Sequence, residues 1–121
     1  MTGNDIVKRA LTRLGYTSAN GNEALTRRVL NSATDTVNDI YADLWDKEHT
    51  EDFEPLNRLN DEIKLSNKAL AVMVYGVAAF IAHSENDGDQ NQLWIAMYNK
   101  KRASLSKTDT IKDKIPRSFD I

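Results

Sequence analysis

Chemistry in a small protein needs reactive side chains at a spacing that brings them together, and the candidates in this chain are few. His49 closes the run Asp46-Lys47-Glu48-His49, so Asp46 and His49 stand one helical step apart, where a carboxylate and an imidazole can share a metal ion. A di-metal bundle needs Glu-x-x-His on two helices, and the second motif is missing. His83, the other histidine, follows a long apolar run and reads as a half-buried imidazole at a helix end. Asn86-Asp87-Gly88-Asp89 offers oxygens that suit calcium, but the order of an EF-hand fails: position 90 is glutamine and no bidentate glutamate closes the loop. Without cysteine, disulfides and thiolate metal sites are excluded. Phosphate loop, dinucleotide fingerprint and nucleophile elbow are all absent from the sequence. No grouping of nucleophile, base and oxyanion donors can be drawn. The residues point away from an enzyme, and no catalytic residue, metal or cofactor is expected.

The remaining polar signals are charge patterns. Asp35, Asp39 and Asp43 recur every fourth residue, with Asp46 just beyond. Like charges at that spacing cost an isolated helix about 0.2–0.5 kcal/mol per pair. The ordinary reading is a solvated face; the sharper one is a contact with a basic partner surface. Arg27-Arg28 and Lys100-Lys101-Arg102 are the basic clusters, and short basic runs usually face solvent. Over 121 residues the net charge is −2, so general affinity for phosphate backbones is not expected, and any such contact would be local and salt-dependent. Trp45, Tyr75, Trp94 and Tyr98 read as core or interface rather than as a platform for stacking bases.

The element that must position all of these is the stretch 65–83. Between Ala69 and Ala82 no side chain is charged or strongly polar. A helix apolar all round has no solvent face and must be wrapped by neighbours. A bilayer span needs about 20 apolar residues, and this run is shorter. It is therefore predicted to be the central helix of a small globular domain, with Ser66 as its N-cap. Gly76 costs about 1 kcal/mol there against alanine, but with Ala71, Ala78, Ala79 and Ala82 it offers small surfaces for close helix approach.

The other helices follow from their stripes. Ile6, Val7, Ala10, Leu11 and Leu14 share one face of a first helix, capped by Thr2 or Asn4, aided by Asp5 at its positive end, and stopped at Gly15. Residues 16–21 read as a turn. A long second helix is predicted from near Asn22, with the stripe Leu25, Val29, Leu30, Ala33, Val37, Ile40, Tyr41, Leu44 and Trp45 unbroken over roughly 35 Å. Residues 47–60 form a long polar connector in which Phe53 and Leu56 dock, and 61–65 a short extended lead-in. After a turn around Gly88, a further helix is predicted over 89–104, with Leu93, Trp94, Met97, Tyr98 and Leu105 as its apolar side.

The fold expected is thus all-α: a bundle of about four helices around a central apolar helix, residues 1–105, with an extended C-terminal tail, 106–121. Pro116 bars a continuous helix in the tail. Its spaced anchors Ile111, Ile115, Phe119 and Ile121 suggest docking, onto its own body or onto another subunit. With 40% apolar residues, one domain is the natural reading. The N-terminal stretch lacks the long apolar segment of a signal peptide.

The order of these parts resembles the head–tail connector, or adaptor, proteins of tailed bacteriophages and prophages, also described as head-completion proteins. The resemblance covers 6–105. It rests on the short helix ending ALTRLG, the long helix through LNSATDTVNDIYADLW, the segment LNDEIKLSNKALAVMVYGVAAFIA, and the ending YNKKRASLS followed by a polar tail. It implies a structural, non-catalytic α-helical protein that joins a ring at the portal vertex of the head. Such a subunit would extend the DNA channel, help retain packaged DNA, and present a surface to the next tail component. The implied partners are further copies of the chain, the portal protein and that tail component. Non-specific contact with channel DNA is allowed and no membrane is involved. The implied location is the virion neck, with assembly in the host cytoplasm.

In a ring, one face of each subunit meets a different face of its neighbour. Arg27, Arg28, Asp35, Asp39, Asp43, Lys100, Lys101 and Arg102 are the interface candidates. Ile111, Ile115, Phe119 and Ile121 are the anchors toward a neighbour or the portal. The alternative function is a small helical nucleic-acid-binding or regulatory domain using Arg27, Arg28 and the Lys100–Arg102 cluster.

Overall fold

Five α-helices and no strand make up the computed structural model, which describes residues 1–16 and 23–105: α1 (Gly3–Arg13), α2 (Glu23–Ser32), α3 (Thr34–Glu48), α4 (Asn67–Ser84) and α5 (Gly88–Arg102). The architecture is the all-α bundle that the apolar periodicity predicts, with α4 at its centre. Eleven of the 18 residues of α4 are buried. α1, α3 and α5 pack around it. Among the described residues, no polar or charged side chain is buried. No described helix is long and apolar enough to cross a membrane.

The ends of the helices are set by local chemistry. Ser66 Oγ accepts the Ala69 amide at 3.1 Å and caps α4. Thr2 and Asp5 form a reciprocal capping box at the start of α1, the Thr2 amide donating to Asp5 Oδ2 at 2.9 Å. That backbone hydrogen bond, with the one from the Thr2 side chain, holds the Asp5 carboxyl below its usual range. At the other end Gly15 takes φ +87°, its amide donates to Thr12 O, and the Tyr16 amide donates to Leu11 O. This paired closure needs a left-handed residue, which glycine supplies without steric cost.

The predicted long second helix is divided. Ala33 interrupts it, separating α2 from α3, so the bundle has five helices rather than about four. Just before the break, Ser32 Oγ donates back to the Arg28 and Val29 carbonyls. Such back-bonding weakens and bends a helix. Val29, Ala33 and Val37 nonetheless all stay buried, so the apolar stripe runs through the interruption.

The connector between α3 and α4 is tied down along its length. Leu56, Leu59 and Ile63 are buried, and Phe53 stands edge-on to Tyr41 with ring centroids 5.0 Å apart. Asn38 of α3 pairs with both backbone groups of Leu56: its Nδ2 donates to the carbonyl at 3.0 Å and its Oδ1 accepts the amide at 2.7 Å. The Lys64 amide donates to Tyr41 Oη at 3.0 Å, and the Trp45 indole donates to Glu51 O at 2.8 Å. Glu48 accepts from both the amide and the hydroxyl of Ser66, joining the end of α3 to the start of α4. In the lead-in, Glu62 forms an isolated antiparallel bridge with Thr2, and the Ile63 amide donates to Met1 O at 2.9 Å.

Gly76 explains how α3 and α5 both reach α4. A Cβ there would stand 2.8 Å from the Tyr98 ring and 3.1 Å from Ile40 Cδ1. Ala71, by contrast, is exposed. α5 is capped by Asp87, and the preceding turn takes its positive φ at Asn86 (61°) rather than at Gly88, which is already helical. Of its predicted apolar side, Tyr98 and Leu105 are buried and Trp94 packs against the core, whereas Leu93 is 51% exposed. The tail, 106–121, and the turn residues 17–22 lie outside the described residues.

Candidate interaction surfaces

The predicted acidic stripe does not stay on one face. An α-helix turns about 100° per residue, so each four-residue step carries the row about 40° beyond a full turn. Asp35 and Asp39 are exposed on α3, without a cationic partner among the described residues, and Asp46 is likewise exposed. Two steps on from Asp35, Asp43 has swung toward α5. There its Oδ2 accepts Arg102 Nε at 2.5 Å and Tyr98 Oη at 2.5 Å, and its Oδ1 accepts a second Arg102 nitrogen at 2.8 Å. Partial burial would push the Asp43 carboxyl up, but the bonds from Arg102 and Tyr98 together outweigh it and hold the group below its usual range. Burial and the Asp43 charge push the Tyr98 phenol up, and the hydrogen bond to Asp43 raises Arg102 further.

The complementarity expected between neighbours is therefore satisfied within one chain for Asp43 and Arg102. Lys100 and Lys101 are exposed beside this pair, with no carboxylate partner among the described residues. In the other basic cluster, Arg28 pairs with Glu85 of the α4–α5 turn at 2.7 Å, while Arg27 is exposed and has no ion pair among the described residues. Ile111, Ile115, Phe119 and Ile121 lie outside the described residues.

The histidines take positions unlike those the sequence allowed for. His49 Nε2 lies 3.1 Å from Lys64 O, its ring stacks on Trp45 at 3.8 Å, and Nδ1 lies 3.6 Å from Glu51 rather than against Asp46. His83 is exposed, not half-buried, near the C-terminal end of α4. There it lines a groove of about 160 Å³ with Val29, Ala33, Val77, Phe80 and Ile81. No group of three or more His, Asp or Glu side chains among the described residues is placed to hold a metal ion.

One surface was not anticipated. Between α1 and α4 lies an open groove of about 340 Å³ lined by Arg9, Thr12, Arg13, Ala71 and Val74. Arg9, Thr12 and Arg13 sit at helical spacing on the polar side of α1. That regularity was visible in the sequence, as was the apolar character of α4, but nothing there showed that this side of α1 would border Ala71 and Val74. Neither a family model, nor a curated protein, nor a solved structure matches this chain.

Proposed function

We propose that this chain is a structural subunit of a phage or prophage particle, a connector that joins the portal vertex of the head to the tail as one member of a ring. The resemblance in helix order and motifs is the source of the reading. The observation that carries it is the separation of unpaired charge. Among the described residues, Asp35 and Asp39 on α3 are exposed without a cation, and Lys100 and Lys101 at the end of α5 are exposed without a carboxylate. Opposite charges on different elements suit the face-to-different-face contact that ring closure requires. The portal ring and the next tail component are the partners in this reading, and the virion neck is its location.

Light scattering of the purified chain, alone and with a portal ring, tests it. Ring-sized assembly on the portal is the expected result. Charge reversal at Asp35 and Asp39 abolishes it, as does reversal at Lys100 and Lys101, and combining the two reversals restores it. Absence of any association with portal, at low and physiological salt, overturns the reading.

A further inference from the structure

The groove between α1 and α4 has the chemistry of a binding site for a nucleic-acid strand. Arg28, Arg58 and Arg102 each pair with a carboxylate. Arg9 and Arg13 do not: they have no ion pair among the described residues, and both are exposed. Standing one helical turn apart with Thr12 between them, they form one wall of the groove, and Ala71 and Val74 floor it. The nearby carboxylate of Asp5 is taken up by the Thr2 amide. The groove thus offers two guanidinium groups with no acid among the described residues of its lining, while the Thr12 hydroxyl donates to Lys8 O at 3.0 Å.

An aromatic ladder continues this surface toward α5. The Arg13 guanidinium lies 5.8 Å from the Tyr75 ring centroid, and Tyr75 stacks on Trp94 with centroids 5.5 Å apart at 21°. Trp94 is steadied by its indole donating to Gln90 Oε1 at 2.8 Å. Both rings remain part-exposed, unlike Trp45, which is 9% exposed in the core. Lys101 follows Trp94 seven residues on, on the same row of α5. Cations that track a phosphate backbone, beside aromatic rings on which bases stack, are the two parts of a single-strand binding surface.

We propose that a single strand of DNA or RNA binds here, its phosphates on Arg9, Arg13 and Lys101 and a base against Trp94. The inference concerns the isolated chain and does not depend on ring assembly. It also differs from a contact through Arg27, Arg28 or Lys100, none of which lines the groove. An acidic protein segment is the competing occupant, since carboxylates also suit paired arginines.

The test is fluorescence anisotropy of the full chain with a labelled 20-nucleotide oligo-dT and oligo-rU, a duplex of the same length, and poly-glutamate as competitor. The intrinsic tryptophan signal is followed in parallel. Expected are binding of the single strands at low salt, quenching of Trp94, and a slope of log affinity against log salt of about −2 for three phosphates. Arg9→Ala with Arg13→Ala, both exposed, should weaken binding about ten-fold or more, and Trp94→Leu by a similar factor with helical content unchanged by circular dichroism. Arg27→Ala with Lys100→Ala serves as the control and should change it less than two-fold. Preferential binding of oligo-dT over oligo-rU, or the reverse, names the strand. No binding in 50 mM salt, an equal loss in the control variant, or displacement by poly-glutamate at matched charge overturns the proposal.

Discussion

Arg102 grips Asp43 with two nitrogens, at 2.5 and 2.8 Å, across 59 residues of chain, and Tyr98 adds its hydroxyl to the same carboxylate. The three residues hold α5 against α3 at the one place where Gly76 lets both helices approach α4.

The side chains of the pair are 35% and 38% exposed, so water screens much of its attraction. Tyr98→Phe and Asp43→Asn should each cost about 1 kcal/mol in urea unfolding. The pH dependence has a definite sign. Because the Asp43 carboxyl is held low in the folded chain, the unfolded chain binds the proton first as pH falls. The pair's contribution is complete above the unfolded value of about 3.9 and is lost as pH falls through the lower folded value. The stability difference between wild type and Asp43→Asn should be largest near neutrality and shrink as pH drops below about 4.

Gly76→Ala sets helix propensity against packing. Propensity alone favours alanine by about 1 kcal/mol. The new methyl would sit 2.8 Å from a ring that Asp43 holds in place. Net destabilisation of about 1–3 kcal/mol is expected, measured by thermal unfolding. Tyr98→Leu in the same background should recover part of it.

Asn38→Ala removes both bonds to Leu56. A loss of about 1–3 kcal/mol is expected, since the Leu56 amide and carbonyl are left without partners in a half-buried site. Hydrogen exchange should speed up first in residues 51–63, with α4 still protected.

Removing residues 106–121 should leave the helical signal of 3–102 unchanged in circular dichroism while portal binding is lost. Unchanged binding by the truncated chain would reject a docking role for Ile111, Ile115, Phe119 and Ile121.

What the sequence made legible followed from local rules. The apolar run fixed α4 and its burial, Ser66 and Thr2 marked helix starts, and Gly15 marked a stop. The break at Ala33 was hidden because alanine is the best helix former and the buried stripe runs on through it. Beside the break a side chain, Ser32, bonds backward to the Arg28 and Val29 carbonyls, which no spacing of apolar residues reveals. The acidic row misled in a different way. Regular spacing at Asp35, Asp39 and Asp43 suggests a single face, but the 40° drift per step takes only the last of them to α5. The groove at Arg9 and Arg13 escaped because its floor comes from a helix some 60 residues later.

The three-residue link Glu85–Asp87 gives the α4–α5 hairpin a place in time as well as in space. Its partners meet across only three residues, at low loop-closure cost, whereas α1 must wait for a chain of more than 50 residues to bring α4 back to it. Nucleation should therefore begin at the hairpin. Ala79→Gly should slow refolding, and Val7→Ala on α1 should act mainly by hastening unfolding, in stopped-flow chevrons.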